Sequence, residues 1–195
     1  ISASAVYALP IDCKHEDSAL LKKLCSTPYK ELRGQLNESY LTTYLVTDAP
    51  VRLVNDTHQL WLNRLSQCKT SDCLKQQFDI RLEDLNFYTS MNQSLTQHFI
   101  KYEHGKIAKQ PIHLQIHQLS KDRIKVEGIA YRNPNNRKEA QTVSLLAYTT
   151  PEKKNEILDN EHDCKYTLNF QKAILSVSTQ QKGCERFSGI YRLYD

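Results

Sequence analysis

Six cysteines, seven histidines and the adjacent carboxylates Glu83 and Asp84 are the residues of this 195-residue chain whose types invite chemistry. The cysteines are Cys13, Cys25, Cys68, Cys73, Cys164 and Cys184, and their even number points to disulfides and an oxidising compartment. Zinc is the rival, because thiolates ligate it well. However, the chain has no C-x2-C pair, and its tightest spacing is the C-x4-C of Cys68 and Cys73. Three connectivities are open to the first four cysteines. Cys13–Cys25 and Cys68–Cys73 each close a short local loop and are favoured; a Cys25–Cys68 bridge, stapling a helical hairpin, stands as the alternative. Cys164 and Cys184 bracket a strand pair, and a bridge there closes a hairpin. Each bridge is worth roughly 2–4 kcal/mol, chiefly by restricting the unfolded chain.

The remaining chemistry-bearing residues assemble into little. His113 and His117 share a face if they lie on a strand, but such a pair on a surface sheet is more often unliganded, so no metal site is assigned. Glu83 and Asp84 resemble a paired-carboxylate site, yet adjacent helical positions point apart, and a solvated face is expected. Five glycines leave no phosphate cradle, and neither G-x-S-x-G nor H-E-x-x-H occurs. Oxidised cysteines cannot act as thiolates. The expectation is a protein without catalytic residues and without a cofactor.

The elements that must position these residues change character midway. Leu20, Leu21 and Leu24 predict a short helix before Cys25. A second starts near Pro28, capped by Thr27, with Leu32, Leu36, Tyr40 and Tyr44 as its stripe. A third follows Pro50 and buries Val51, Val54, Trp61, Leu62 and Leu65. A fourth, capped by Ser71 or Asp72, carries Leu74, Phe78, Leu82, Leu85, Tyr88, Met91 and Leu95. From Ile112 the pattern alternates, predicting strands at 112–116, 124–128, 141–149, 166–170, 173–178 and 187–194, with a turn over 132–136. The fold class is therefore α+β: a disulfide-stapled antiparallel helical bundle followed by an antiparallel sheet, sandwich or small barrel. The expected divisions are an extended segment or signal remnant at 1–12, helices at 13–105 and a β domain at 106–195. Val6-Tyr7-Ala8 reads as the tail of a secretory signal. No apolar run approaches the roughly 20 residues that span a bilayer.

Charge follows the same division. The net +4 combines ten basic against eleven acidic residues up to position 100 with sixteen against eleven beyond it. That excess is too scattered for the clustered basic stripe of a nucleic-acid binder.

The helical half resembles the LprI-type lysozyme-inhibitor domain of exported bacterial proteins. The resemblance covers about residues 13–85. It is carried by the Cys13/Cys25 spacing, by Trp61-Leu62-Asn63-Arg64 leading to Cys68, and by Cys73-Leu74 followed by Phe78, Arg81-Leu82 and Leu85. His58 stands where that family often has glutamine, and Leu65-Ser66 where it tends to have Arg-Asp. Any inhibitory contact through those positions would differ here. The resemblance implies an all-helical, disulfide-bonded periplasmic or lipoprotein domain.

Two functions follow as expectations. In the first, the chain is an exported envelope protein that inhibits a peptidoglycan-cleaving enzyme by plugging its acidic cleft. Candidate contacts are Trp61, Arg81, Lys121, Arg123, Lys182, Arg186, Ser188 and Tyr191. A strongly basic lysozyme would lack long-range attraction to a +4 protein, so a less basic target fits better. In the second, it is a structural or adaptor protein of the periplasm. Either way the partner is a protein, not nucleic acid, and Trp61 and Tyr191 also read as core.

Overall fold

The computed structural model describes residues 10–90 and 93–194. Val6-Tyr7-Ala8 and Met91 lie outside them. Four α-helices come first: α1 (Ala19–Leu24), α2 (Lys30–Val46), α3 (Val51–Gln67) and α4 (Ser71–Ser90). Ser18 caps α1 by accepting from the Leu21 N–H. A 3-10 turn at Thr27–Tyr29 absorbs Pro28 and delays α2 to Lys30. The cap of α4 is Thr70, whose hydroxyl accepts from the Cys73 N–H, and not Ser71 or Asp72. Trp61 and Phe78 meet edge-to-face at 5.1 Å among Ile11, Leu24, Leu36 and Leu65, forming the helical core. Val51 was expected inside, but it stands on the exposed side of the first turn of α3.

Nine strands follow among the described residues: β1 (Thr96–Glu103), β2 (Lys106–Ile107), β3 (Ile112–Ser120), β4 (Arg123–Tyr131), β5 (Thr142–Thr149), β6 (Glu156–Leu158), β7 (Lys165–Gln171), β8 (Ile174–Ser178) and β9 (Gly189–Tyr194). They pair antiparallel in the order β5-β4-β3-β1-β9-β8-β7-β6, with β2 on β1. The two ends of that order curl towards each other, making a nearly closed barrel. Asp159, just past β6, bridges the seam: its carboxylate accepts the Leu146 N–H of β5, and the Asn160 N–H returns to the Leu146 carbonyl. Leu114, Val126, Leu145, Leu168 and Tyr191 fill the interior. Gly128 is required there, since a Cβ would come within 2.8 Å of Leu114 and 2.9 Å of Phe187.

The sheet starts earlier than the alternation indicated. Thr96–Glu103, expected at the tail of the helical half, is the strand β1 between β3 and β9. Leu95, expected on the buried face of α4, lies in the turn before β1 and is 56% exposed. Phe187 sits in a 3-10 turn ahead of the last strand.

The helices lie against the outer face of the barrel. Leu53, Val54 and Tyr88 pack on Ile100 and Tyr194. Arg64 of α3 donates to Gln110 Oε1 at 2.7 Å and to the Arg132 carbonyl at 2.8 Å. Tyr131 of β4 donates to the Asp84 carboxylate of α4. Cys13 is bonded to Cys25, Cys68 to Cys73 and Cys164 to Cys184, which leaves no free cysteine among the described residues. Three disulfides fit an oxidising, extracytoplasmic setting. No described helix is long and apolar enough to cross a membrane.

Candidate functional site

A cavity of about 340 Å3 opens where α4 runs over the outer face of β3, β4 and β5. Period-2 alternation sends Leu114, Val126 and Leu145 into the barrel and turns His113, Gln115, Glu127, Ile129, Ser144 and Leu146 outward to this cavity. One helical turn of α4 supplies the roof with Glu83, Asp84, Phe87 and Tyr88. Glu161, from the loop beyond Asp159, closes the side and accepts from the Ser144 hydroxyl. Four carboxylates line the cleft, and no Lys or Arg does.

Those carboxylates differ in state. Burial lifts Asp84 to about 6 against the opposing pull of Arg81, whose guanidinium is 4.0 Å away. Both Asp84 oxygens receive the Tyr131 hydroxyl, at 3.1 and 2.9 Å, so the group is structural. Glu127 is held down at about 2 by the His117 ring at 3.1 Å and then by Lys125 at 2.5 Å. A carboxyl near neutrality beside an ionised one is a pattern used for acid–base work. Here both are committed to protein partners, which suits binding better than proton transfer.

Three histidines lie beneath α4. His98 Nε2 meets Gln93 Oε1 at 2.8 Å, and His98 Nδ1 meets His113 Nε2 at 3.0 Å. With the first proton on His98 Nε2, its Nδ1 accepts from His113 Nε2–H, and both rings are neutral. Burial lowers His98 to about 3 and His113 well below its ordinary value. His117 is held between Thr96 and Glu127. His113 and His117 are thus under a helix, not on an open sheet surface. No group of three His, Cys, Asp or Glu suited to a metal occurs among the described residues.

The residues singled out from sequence do not converge. Trp61 is buried and donates its indole N–H to the Gln77 carbonyl at 2.7 Å. Arg81 is 1% exposed; it donates to the Val54 carbonyl and the Thr57 hydroxyl, so its head is as buried as its stem. Tyr191 fills the barrel and donates to the Phe187 carbonyl. None of the three offers a contact surface. Lys121, Arg123, Lys182 and Arg186 are exposed, and Ser188 is half-buried. Yet β3 and β9 run in the same direction on either side of β1. The β3–β4 turn bearing Lys121 and Arg123 therefore lies at the opposite end of the barrel from the β8–β9 loop bearing Lys182 and Arg186. One partner surface cannot engage both.

Glu83 and Asp84 were expected on a solvated face; both instead border the cleft, with Glu83 exposed and Asp84 half-buried against Tyr131. His98, Gln115, Glu127 and Glu161 were missed. The outward positions of β3 and β4 were visible in the alternation; that a helix covers them was not. Comparison with protein-family models, with curated proteins and with solved structures finds no match to this chain.

Proposed function

We propose that this chain is an exported binding protein of the bacterial envelope that acts by recognition, without catalysis, at the cleft beneath α4. One observation carries the reading: two modules of different class meet around a cavity of about 340 Å3 whose walls are already held in place. The roof is fixed by the Tyr131–Asp84 contact and by Arg64, and the floor is barrel strand. Walls ordered beforehand lower the entropic cost of binding. The volume sits at the small end of ligand sites, roughly 300–1,000 Å3. Export is supported by the three disulfides and by the LprI-like signature of the helical half.

Ser144→Trp tests this reading, because Ser144 is exposed at the cleft and points away from the barrel core. Small molecules from an envelope extract, retained on the wild-type protein and identified by mass spectrometry, should be lost on the variant at unchanged Tm. Identical retention by both proteins removes the cleft as the recognition site.

A second reading, occlusion of a peptidoglycan-cleaving enzyme, is supported by the β8–β9 loop. Cys184 ties that loop to Cys164, Gln181 reaches the Asp163 carbonyl, and Glu185 accepts from the Gly183 N–H. Lys182 and Arg186 are therefore presented on an ordered frame. Inhibition of lysozymes and amidases that disappears in the Lys182→Ala/Arg186→Ala double variant is the expected result. An unaffected panel of hydrolases leaves a non-inhibitory binding or adaptor role.

A further inference from the structure

Gln115 lies on the outer face of β3, opposite His98 of β1 and Glu127 of β4, and is only 5% exposed. It lines the cleft, and no donor among the described residues reaches its Oε1. A buried acceptor left unmet is costly, and a ligand N–H placed there removes that cost. An acceptor selects a donor, which narrows the ligand's chemistry.

The charges narrow it further. Glu127 is paired with Lys125 and His117, and Asp84 with Tyr131 and Arg81. Glu83 in the roof and Glu161 at the side remain as carboxylates of the cleft, with no Lys or Arg in its lining. This is a negative recess in a chain of net charge +4. An anionic ligand would be repelled. Phe87 adds an aromatic ring to the lining, a group type that attracts ammonium ions.

We propose that the cleft takes a small protonated primary amine, its N–H groups meeting the Gln115 oxygen and its charge meeting Glu83 and Glu161. This rests on the cleft being the recognition site. The same chemistry is offered by a free aliphatic amine and by a lysine side chain on a partner, so the test needs both.

The intact protein is titrated with 1,5-diaminopentane, with uncharged 1,5-pentanediol, and with an acetylated, amidated Gly-Lys-Gly peptide. Binding is followed by the Gln115 side-chain amide and the Ser144 and Leu146 backbone amides in heteronuclear NMR. Saturable shifts at these groups are expected with the diamine, and at least ten-fold weaker binding with the diol. The Glu83→Gln/Glu161→Gln double variant, both positions exposed, should weaken the amine at least five-fold at unchanged Tm. Saturation by the peptide as well assigns the amine to a partner's lysine; saturation by the diamine alone assigns it to a free amine. Equal binding of diol and diamine overturns the ammonium preference while leaving the cleft a binding site. So does the absence of any shift when extract compounds are still retained by wild type and lost on Ser144→Trp. Shifts spread over other carboxylates and untouched by the double variant overturn the site for amines. Failure of both the titration and the retention experiment removes the cleft reading itself.

Discussion

Arg64 carries more of the junction between helices and barrel than any group singled out from its residue type. Its guanidinium spans three partners: Gln77 Oε1 at 3.2 Å within the helices, and Gln110 Oε1 and the Arg132 carbonyl on the barrel side. It also lies 4.8 Å from the centre of the Tyr131 ring, and burial lowers its proton affinity to about 10. Arginine's planar fork suits such divergent acceptors in a way the point charge of lysine does not. Arg64→Ala takes the donor from a buried acceptor on Gln77 and from two half-buried ones on Gln110 and Arg132, so a loss on the order of 3 kcal/mol is expected in chemical denaturation. Arg64→Lys should recover less than half of it. A loss below 1 kcal/mol for the alanine variant would show that the modules are held mainly by the apolar contacts around Tyr88 and Ile100. Arg64 was legible only as part of the Trp61–Arg64 signature, and nothing in its neighbours announced that its partners lie in the other module.

Among the elements, the seam of the barrel is the most exposed to a single change. Strands β5 and β6 are the two ends of the strand order with no ladder between them, and the Asp159 carboxylate and the Asn160 N–H bridge the seam to Leu146 instead. Asp159 is 1% exposed and accepts from the N–H groups of Leu146, Glu161 and His162 and from the His162 ring. Asp159→Ala orphans three backbone donors at once, and a cost of about 3–5 kcal/mol follows from ~1–3 kcal/mol for each donor left dry, reduced where water enters. Hydrogen exchange should locate the damage: the Leu146 amide should lose protection while Val126, in the centre of β4, keeps it. Equal loss at both positions would mean that the barrel melts as one unit. Six of the nine strands were legible from alternation or apolar runs, and β6 was not, because three residues are too few to show a period. The strand β1 was missed for a different reason. Its outward His98 and Ile100 are covered by helices and its inward Phe99 by the barrel, so His98-Phe99-Ile100 are buried consecutively and no alternation of polarity survives. Strand β3 shows the converse. Its alternation is clear in the sequence, but His113 and His117, expected on a surface sheet, lie beneath α4. Alternation distinguishes two faces of a strand; what covers the polar one is decided by distant chain.

At the scale of the whole molecule, neutral buried histidines, His58 within the helical module and His98 and His113 where helices meet barrel, make stability sensitive to acid. His58 accepts burial between α3 and the segment at Pro10, which lowers it to about 4; His98 is lowered to about 3 and His113 well below its ordinary value. Each releases its proton on folding. The unfolded chain therefore binds more protons below about 6.5, and stability falls as pH drops from there towards 4 and 3. For His58 alone the displacement is worth about 3 kcal/mol once the pH is below 4. Glu127 adds to this lower down, since a carboxylate held at about 2 contributes stability above 4.5 that is lost as pH falls through 2. Asp84 acts in the opposite sense: lifted to about 6, it takes up a proton on folding, so acidification from 6 to 4 offsets part of the loss. Three histidines outweigh one carboxyl, and a net fall in Tm between pH 7 and pH 4 is expected by calorimetry. The break should begin at the junction, because the 3.0 Å contact between His98 and His113 cannot hold two protonated rings, and Arg81 and His117 add like charge around it. Disulfides hold the local loops of each module but none crosses between them. Exchange at pH 4 should accordingly expose the amides of Tyr88 and His98 before those of Leu168, deep in the barrel. A Tm that stays level from pH 7 to pH 4 would show that these histidines keep enough solvent to charge without cost, and the cleft beneath α4 would then be an open surface rather than a buried junction.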